Sequence, residues 1–483
     1  MKTITIQELM QQSGVAFGTS GARGLVVQMT DEVCEAYASA FLTVVARSFR
    51  FQRVALGVDL RPSSVGIATA CARAIRSAGF SVDFCGALPT PALALHSQRE
   101  QIPAIMVTGS HIPFDRNGIK FYRPDGEISK TDESAMVELR VALAGSGVPD
   151  ALPAVNEQAI RAYERRYVDF FPAGMLAGLR LGLYEHSSVA RDPLRRILER
   201  LGAEVVSLGR TDVFVPIDTE AVSAEDISRG RAWSAEYGFD AIISTDGDGD
   251  RPLIGDERGN WLRGDIVGLL CARYLGAKFL AVPVSCNTAI EKCGAFDRVI
   301  RTRIGSPYVI AGMQQFGGEA NSVAGFEANG GFLLGSAIDR AGHVLEALPT
   351  RDAVLPALAV LAAAREKGIA LSGLLDALPG RYTSSDRLQN FPVAVSKRLV
   401  ETWGANPALF AAFLGNEYGS PVSHDLTDGL RVVFDDQAII HLRPSGNAPE
   451  LRCYSEASKP EVAERMTKAV LARIAQAASE GTI

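Results

Sequence analysis

Short apolar runs and longer stretches of helical periodicity alternate along most of the chain. Val54 to Val58 reads as a buried strand, Asp59 to Ser64 as turn and cap chemistry, and Val65 to Gly79 as a helix with Ala and Ile spaced for burial. Ser81 to Phe84 gives a further strand. Ala104 to Val107 is another, delivering Thr108 to Pro113 at its C-terminal end, where ligands sit in open α/β sheets. The rhythm recurs with Leu179 to Tyr184, Val189 to Leu201 and Glu204 to Val206, and Phe239 to Ile243 then runs straight into an acidic loop at Asp246. A third unit holds Phe279 to Val284, then Val323 to Gly331, and a strongly apolar helix from about Asp352 to Ala364. The last stretch differs. Alternation over Leu430 to Phe434 and Ala438 to Leu442 predicts an antiparallel sheet, and Lys459 to Ala478 a closing helix. The expected fold is α/β: three similar α/β domains with mixed sheets, followed by a C-terminal α+β domain.

Length supports that division. A single core stops growing near 250–300 residues, and the chain has 483. Periodicity gives way to Gly, Pro and charge near Val148 to Asn156, Arg258 to Gly264 and Gly368 to Gly380. The expected domains are therefore 1–152, 153–257, 258–372 and 373–483. Charged residues make up 22% of the chain and the net charge is −6, so there is no global attraction to nucleic acid or anionic lipid. Any affinity for phosphate must be local. No stretch has the apolar length of a membrane span, and Met1 to Glu8 lacks the core of a signal peptide, which predicts a cytoplasmic protein. Seven scattered cysteines without a Cys-x-x-Cys pair suggest neither a disulfide framework nor a zinc site.

Five loops carry candidate chemistry. Gly18-Thr19-Ser20-Gly21-Ala22-Arg23-Gly24 is an amide-presenting loop able to cup an anion, with Arg23 as a fixed charge. Thr108-Gly109-Ser110-His111-Ile112-Pro113 offers a hydroxyl, with Lys120 nearby to take its proton or screen charge; its flanks are not the Gly-x-Ser-x-Gly of a serine hydrolase. Asp246-Gly247-Asp248-Gly249-Asp250-Arg251 sets three carboxylates at alternate positions. They repel one another by about 1 kcal/mol per pair even in water, so they call for a cation or a basic counterweight. Calcium is a competing reading, because Asp246, Asp248, Asp250 and Glu257 fall at positions 1, 3, 5 and 12 of an EF-hand loop. Position 6, however, is Arg251 where glycine is needed, and a strand precedes the loop. Glu327 and Asn329 stand two apart beside glycines, a pairing suited to vicinal hydroxyls. Arg443, Ser445, Gly446 and Asn447, with Arg452 beyond, form a compact candidate phosphate clamp.

In order and approximate spacing these five loops resemble the signature loops of the α-D-phosphohexomutase superfamily, in its phosphomannomutase/phosphoglucomutase branch, and the resemblance covers nearly the whole chain. It implies a four-domain enzyme around a central cleft, each domain contributing to it. Ser110 is then the phosphoserine, flanked by His111, and Asp246, Asp248 and Asp250 are Mg2+ ligands completed by the serine phosphate. Arg23 and Lys120 assist proton transfer and charge stabilisation, Arg251 stands beside the metal, Glu327 and Asn329 hold sugar hydroxyls, and the Arg443 loop grips the phosphate not in transfer. Arg303, in Arg303-Ile304-Gly305-Ser306, keeps the charge of a Lys-x-Gly-His loop found in relatives. Asn329 and Gly331 stand where dual-specificity relatives carry serine and histidine, which shifts acid/base work toward Lys120 and Arg23. The implied function is interconversion of mannose 1-phosphate and mannose 6-phosphate, with a hexose 1,6-bisphosphate as intermediate and activator. The alternatives are a dual mannose/glucose mutase and a non-catalytic sugar-phosphate sensor. The implied partner is a small hexose phosphate, with no nucleic acid or membrane, and the expected assembly is a monomer or weak homodimer.

Overall fold

The computed structural model describes residues 3–18, 20–142, 151–318, 321–445 and 449–483. In the first unit the strands Arg53–Val58, Ser81–Ala87 and Ala104–Val107 run parallel, and their apolar runs are buried as strands covered on both faces must be. The last of them is paired by an antiparallel neighbour, Arg116–Arg123, which in turn pairs with Ala22–Leu25. The second unit repeats this plan. Arg180–Tyr184 lies parallel to Glu204–Leu208 and Ala241–Thr245, and Pro252–Gly255 returns antiparallel. So does the third: Phe279–Pro283 lies parallel to Arg298–Thr302 and Val323–Phe326, and Phe332–Leu334 returns antiparallel.

This repetition positions the chemistry. In each unit the last parallel strand folds back on itself, and the connection is one of the polar loops: Thr108 to Asp115, Asp246 to Arg251, and Glu327 to Gly331. The final unit among the described residues is an antiparallel sheet in the order Tyr382–Leu388, Leu451–Ala457, Ile439–Pro444, Leu430–Phe434, Pro421–Asp425, backed by the helix Pro460–Ser479. Arg443 lies near the end of Ile439–Pro444, Ser445 just after it, and Arg452 near the start of Leu451–Ala457. Three mixed sheets and one antiparallel sheet are thus the expected architecture. One apolar cluster, including Leu93, Tyr163, Ile243, Leu280 and Leu358, runs through the first three units, whereas the last sheet builds its own around Phe410, Phe434 and Met466.

Several details depart from the sequence pattern. Arg116–Arg123 forms a strand although it carries charge, because Lys120 turns into the site and is only 3% exposed. The helix expected from Asp352 begins at Val354, and Leu348–Asp352 is instead a strand paired with Phe332–Leu334. The strand expected from Phe239 begins at Ala241. The division at 372/373 falls inside a 3₁₀ turn, Leu371–Ala377, and the chain joins the last sheet at Tyr382. Of the expected first linker, residues 148–150 lie outside the described residues. All seven cysteines are free thiols, and among the described residues no helix is long and apolar enough to cross a membrane.

Asp352 ties the helix Gln158–Val168 to the third unit. Its carboxylate accepts hydrogen bonds from the buried hydroxyls of Tyr163, at 2.6 Å, and Tyr167. Asp352→Ala strands both hydroxyls, at a cost of about 3 kcal/mol. The urea midpoint, followed by circular dichroism, is expected to fall accordingly; an unchanged midpoint would show that the two tyrosines find other acceptors.

Candidate active site

Ser110 lies at the end of its strand with 1% exposure and a φ of +52°, in the left-handed region that costs a non-glycine residue about 1 kcal/mol. Its N–H donates to Thr108 Oγ1 at 2.8 Å, and its hydroxyl donates to Asp246 Oδ2 at 2.6 Å. The nearest imidazole nitrogen, His111 Nδ1, is 3.3 Å from Ser110 Oγ and accepts from Arg251 Nη1 at 2.8 Å. Burial, with Arg251, Arg23 and Arg452 nearby, pushes the His111 imidazole well below its usual range. His111 is therefore neutral at pH 7, with Nδ1 an acceptor.

The acidic turn is a strand-to-strand connection with all three aspartates buried, and their ligand atoms lie within 4.8 Å of one another. Lys120 Nζ bridges Asp248 Oδ2 at 2.7 Å and Asp250 Oδ2 at 2.8 Å, and Thr90 Oγ1 donates to Asp248 Oδ2 at 2.7 Å. Of the two tasks open to Lys120, its contacts serve charge screening. Burial pushes all three carboxyls up, and Asp246 stays raised by its two neighbours, while Lys120 brings Asp248 down and Arg351, Lys120 and Arg251 bring Asp250 far down. The Oδ1 atoms of Asp248 and Asp250 are buried and have no hydrogen-bond partner. Hard carboxylate oxygens left open in one cradle fit Mg2+. Glu257, the twelfth position of the calcium alternative, is engaged instead by Ser372, whose hydroxyl and N–H donate to it at 2.6 and 3.1 Å. His186 supports the turn from below, donating from Nε2 to the Thr245 carbonyl at 2.8 Å.

The third unit joins this centre through Arg351, a residue the sequence pattern did not single out. It reaches Asp250 Oδ2 at 3.0 Å and Glu327 Oε2 at 3.1 Å while 3% exposed. Its side chain fills the space above Gly331, where a Cβ would lie 2.6 Å from Arg351 Cδ. Asn329 turns inward, accepting from Gly331 N at 3.0 Å through its carboxamide and from Thr219 Oγ1 at 2.8 Å through its carbonyl. Arg23 lies near Asp248 and Asp250, and desolvation, together with Arg251 and Arg351, pushes its guanidinium down to about 10.

Arg303 and Arg443 lie where the third unit meets the last sheet, with Ser445 beside Glu450 on the last sheet and Arg452 turned toward the second unit. Arg303 Nε donates to the Thr427 carbonyl at 3.1 Å, and Arg443 Nε to Asp428 Oδ2 at 2.9 Å, an oxygen that also accepts from Ile304 N. Ser445 N donates to the Glu450 carbonyl at 2.8 Å. Arg452 stands 3.6 Å from both Glu220 and Glu450, near enough to His111 to depress it. Gly446 and Asn447 lie outside the described residues.

Arg61 is the other residue that sequence reading passed over, taking its segment as turn and cap chemistry. Though 2% exposed, its guanidinium donates to the carbonyls of Ser110, Ile112, Pro113 and Arg116 at 2.6–3.0 Å and pairs with Asp59 at 3.3 Å. One side chain thus gathers several carbonyls of the Ser110 loop, while its partner Asp59 accepts from Gly109 N at 3.1 Å. The buried Asp-x-Arg pairing was the available signal, but only the strand ends bring it beside the loop.

A serine hydroxyl aimed at a three-carboxylate cation cradle, at matching hairpins of repeated α/β units, suits an enzyme of phosphoryl transfer. Family models bear on that directly. Residues 14–142, 263–382 and 388–473 match the phosphoglucomutase/phosphomannomutase α/β/α domain I, α/β/α domain III and C-terminal domain, respectively. The chain belongs to this family, within the α-D-phosphohexomutase superfamily. A phosphomannomutase of Salmonella muenchen is 50% identical over 97% of each chain, and one of Sinorhizobium fredii is 46% identical over 94% of this chain and 97% of its own. The crystal structure of a phosphoglucomutase/phosphomannomutase family protein from Burkholderia thailandensis shares the fold, with a TM-score of 0.72 at 20% identity, over 96% of this chain and 98% of that one.

Burial pushes His186 down to about 4, so the folded protein excludes a proton that the unfolded chain takes up near pH 6.5. Its contribution to stability is complete above pH 6.5 and is lost as the pH falls toward 4, about 2 kcal/mol by pH 5. His186→Gln is expected to reduce the loss of urea stability between pH 7 and pH 5 by that order. A loss equal to the wild type's would mean that His186 does not titrate in this window.

Proposed function

We propose that the protein is a phosphomannomutase, an isomerase that interconverts mannose 1-phosphate and mannose 6-phosphate through a phosphate carried on Ser110. The observation that carries this reading is the 2.6 Å hydrogen bond from the Ser110 hydroxyl to Asp246, inside the carboxylate cradle. The identity to the Salmonella muenchen phosphomannomutase supports mannose as the sugar.

Asp246, Asp248 and Asp250 would hold Mg2+, which supplies positive charge against the phosphate. Phosphoserine 110 gives its phosphoryl group to the free hydroxyl of the hexose phosphate: the serine Oγ–P bond breaks as the sugar O–P bond forms, and the proton leaving the sugar hydroxyl ends on the serine Oγ, giving a hexose 1,6-bisphosphate and a free Ser110 hydroxyl. The intermediate turns, and its other phosphate returns to Ser110. The serine proton released on that return has Asp246 Oδ2 as its nearest acceptor. Lys120 holds Asp248 and Asp250 in place, and Arg251 donates to His111 Nδ1, fixing the imidazole beside the serine. Glu327, oriented by Arg351, and Asn329 face the sugar hydroxyls. Arg303, Arg443, Ser445, Gly446, Asn447 and Arg452 take the phosphate not in transfer, after Arg443 exchanges Asp428 for it. A clamp that sees C1 phosphate in one half-reaction and C6 phosphate in the other must bind phosphate more than sugar. Hexose 1,6-bisphosphate restores enzyme that has lost its phosphate, and the protein works in the cytoplasm as a monomer or weak homodimer.

With Mg2+ and a hexose 1,6-bisphosphate primer, kcat/KM is expected to be higher for mannose phosphates than for glucose or glucosamine phosphates. Ser110→Ala should lower turnover by about a thousandfold or more. Undiminished turnover by that variant would refute the phosphoserine, and an equal kcat/KM for glucose phosphates would replace mannose specificity with dual specificity.

A further inference from the structure

The Ser110 loop belongs to the first unit and the Asp246 turn to the second, so the 2.6 Å contact between them needs something to set the spacing of the two units. Phe214 lies at that junction. Its ring sits on the Arg61 guanidinium, 3.9 Å from Cζ to the ring centroid, well within the range of a cation–π contact. Arg61 is the side chain that holds the carbonyls of Ser110, Ile112, Pro113 and Arg116.

The same ring also comes close to the metal turn. A Cβ built on Gly247 would lie 3.4 Å from Phe214 Cε2 and 2.8 Å from the Ser110 carbonyl oxygen. Only glycine allows the turn to come this close to the Ser110 carbonyl, and a Cβ there would be in ordinary contact with the ring. The backbone of Phe214 is anchored to the second unit: Val215 N donates to Ser187 Oγ at 2.8 Å, and Arg191 Nη1 to the Thr211 carbonyl at 2.8 Å. The neighbouring Ser188 hydroxyl donates to the Asp246 carbonyl at 3.0 Å. One half-buried ring, carried by the unit that holds the aspartates, is therefore pressed against the guanidinium that holds the serine loop.

We propose that Phe214 and Arg61 are positioning residues for phosphoryl transfer: the stacked pair sets the distance between Ser110 and the Asp246–Asp250 cradle. The proposal rests on the phosphoserine reading above. Misplacing reacting groups by 1 Å costs up to a hundredfold in rate, whereas substrate is held by the phosphate clamp and the sugar loop, and the observed Phe214 stack is on Arg61. Removing the ring is thus expected to lower kcat and leave KM nearly unchanged. It also loosens the fit around phosphoserine 110 and admits water to it.

Replacing Arg61 would strip four carbonyls of their donor and endanger the loop's folding, so the test is made at Phe214. Phe214→Ala, Phe214→Tyr and wild type are compared for kcat and KM with mannose 1-phosphate, and for loss of phosphate from Ser110 over time by intact mass. Phe214→Ala should lower kcat about tenfold or more with KM within about twofold, and shed its phosphate faster. Phe214→Tyr, which keeps the ring face, should restore both. Wild-type kcat and phosphate lifetime in Phe214→Ala would overturn the proposal, as would a loss that Phe214→Tyr does not recover. A wild type that carries no phosphate on Ser110 and does not turn over would overturn the phosphoserine reading itself, and this inference with it.

Discussion

Everything around the cleft answers to the burial of three carboxylates in one turn. With ligand atoms within 4.8 Å of each other and at most 1% exposure, Asp246, Asp248 and Asp250 repel by about 3 kcal/mol or more per pair at an effective dielectric of 20. The turn itself supplies one cation, Arg251. Lys120 comes from the first unit and Arg351 from the third, each at 3.0 Å or less from an aspartate oxygen. No unit balances the charge alone. The acidic turn thus requires its neighbours, and the same contacts that neutralise it fix where Ser110 and Glu327 stand.

The serine pays for its position in backbone strain. A φ of +52° aims the Ser110 hydroxyl at Asp246. Arg61 supports the loop from outside by donating to the carbonyls of Ser110, Ile112 and Pro113 and to that of Arg116 at the start of the next strand. Arg351 plays a parallel part across the cleft, where its span from Asp250 to Glu327 ties metal cradle to sugar loop and occupies the space over Gly331. Two buried guanidiniums thus organise the groups around Ser110 and the carboxylates.

The strand ends and the loops on them were legible in the sequence, because a buried strand followed by a polar turn is a local signal. Ser110 and the three aspartates stand out by that signal, and the structure brings them together. Arg351 did not, since Asp352 was taken as the start of a helix while Leu348–Asp352 adds a strand to the third sheet. Arg61 and Phe214 escaped for a different reason. Their partners lie far along the chain, and nothing near Phe214 in sequence announces a guanidinium to stack on. The same holds for Asp428, which joins Arg443 to the Ile304 amide across two units. Local pattern names the groups that do chemistry; the groups that hold them are set by the packing of one repeat on the next.

The central claim is that the phosphate on Ser110 passes to the sugar and not to water. A single-turnover experiment follows it directly: protein labelled with radioactive phosphate at Ser110 is mixed with unlabelled mannose 1-phosphate and quenched at short times. The account predicts that label leaves Ser110 and appears first in hexose 1,6-bisphosphate. Label released only as inorganic phosphate, or retained on the protein through turnover, would contradict it.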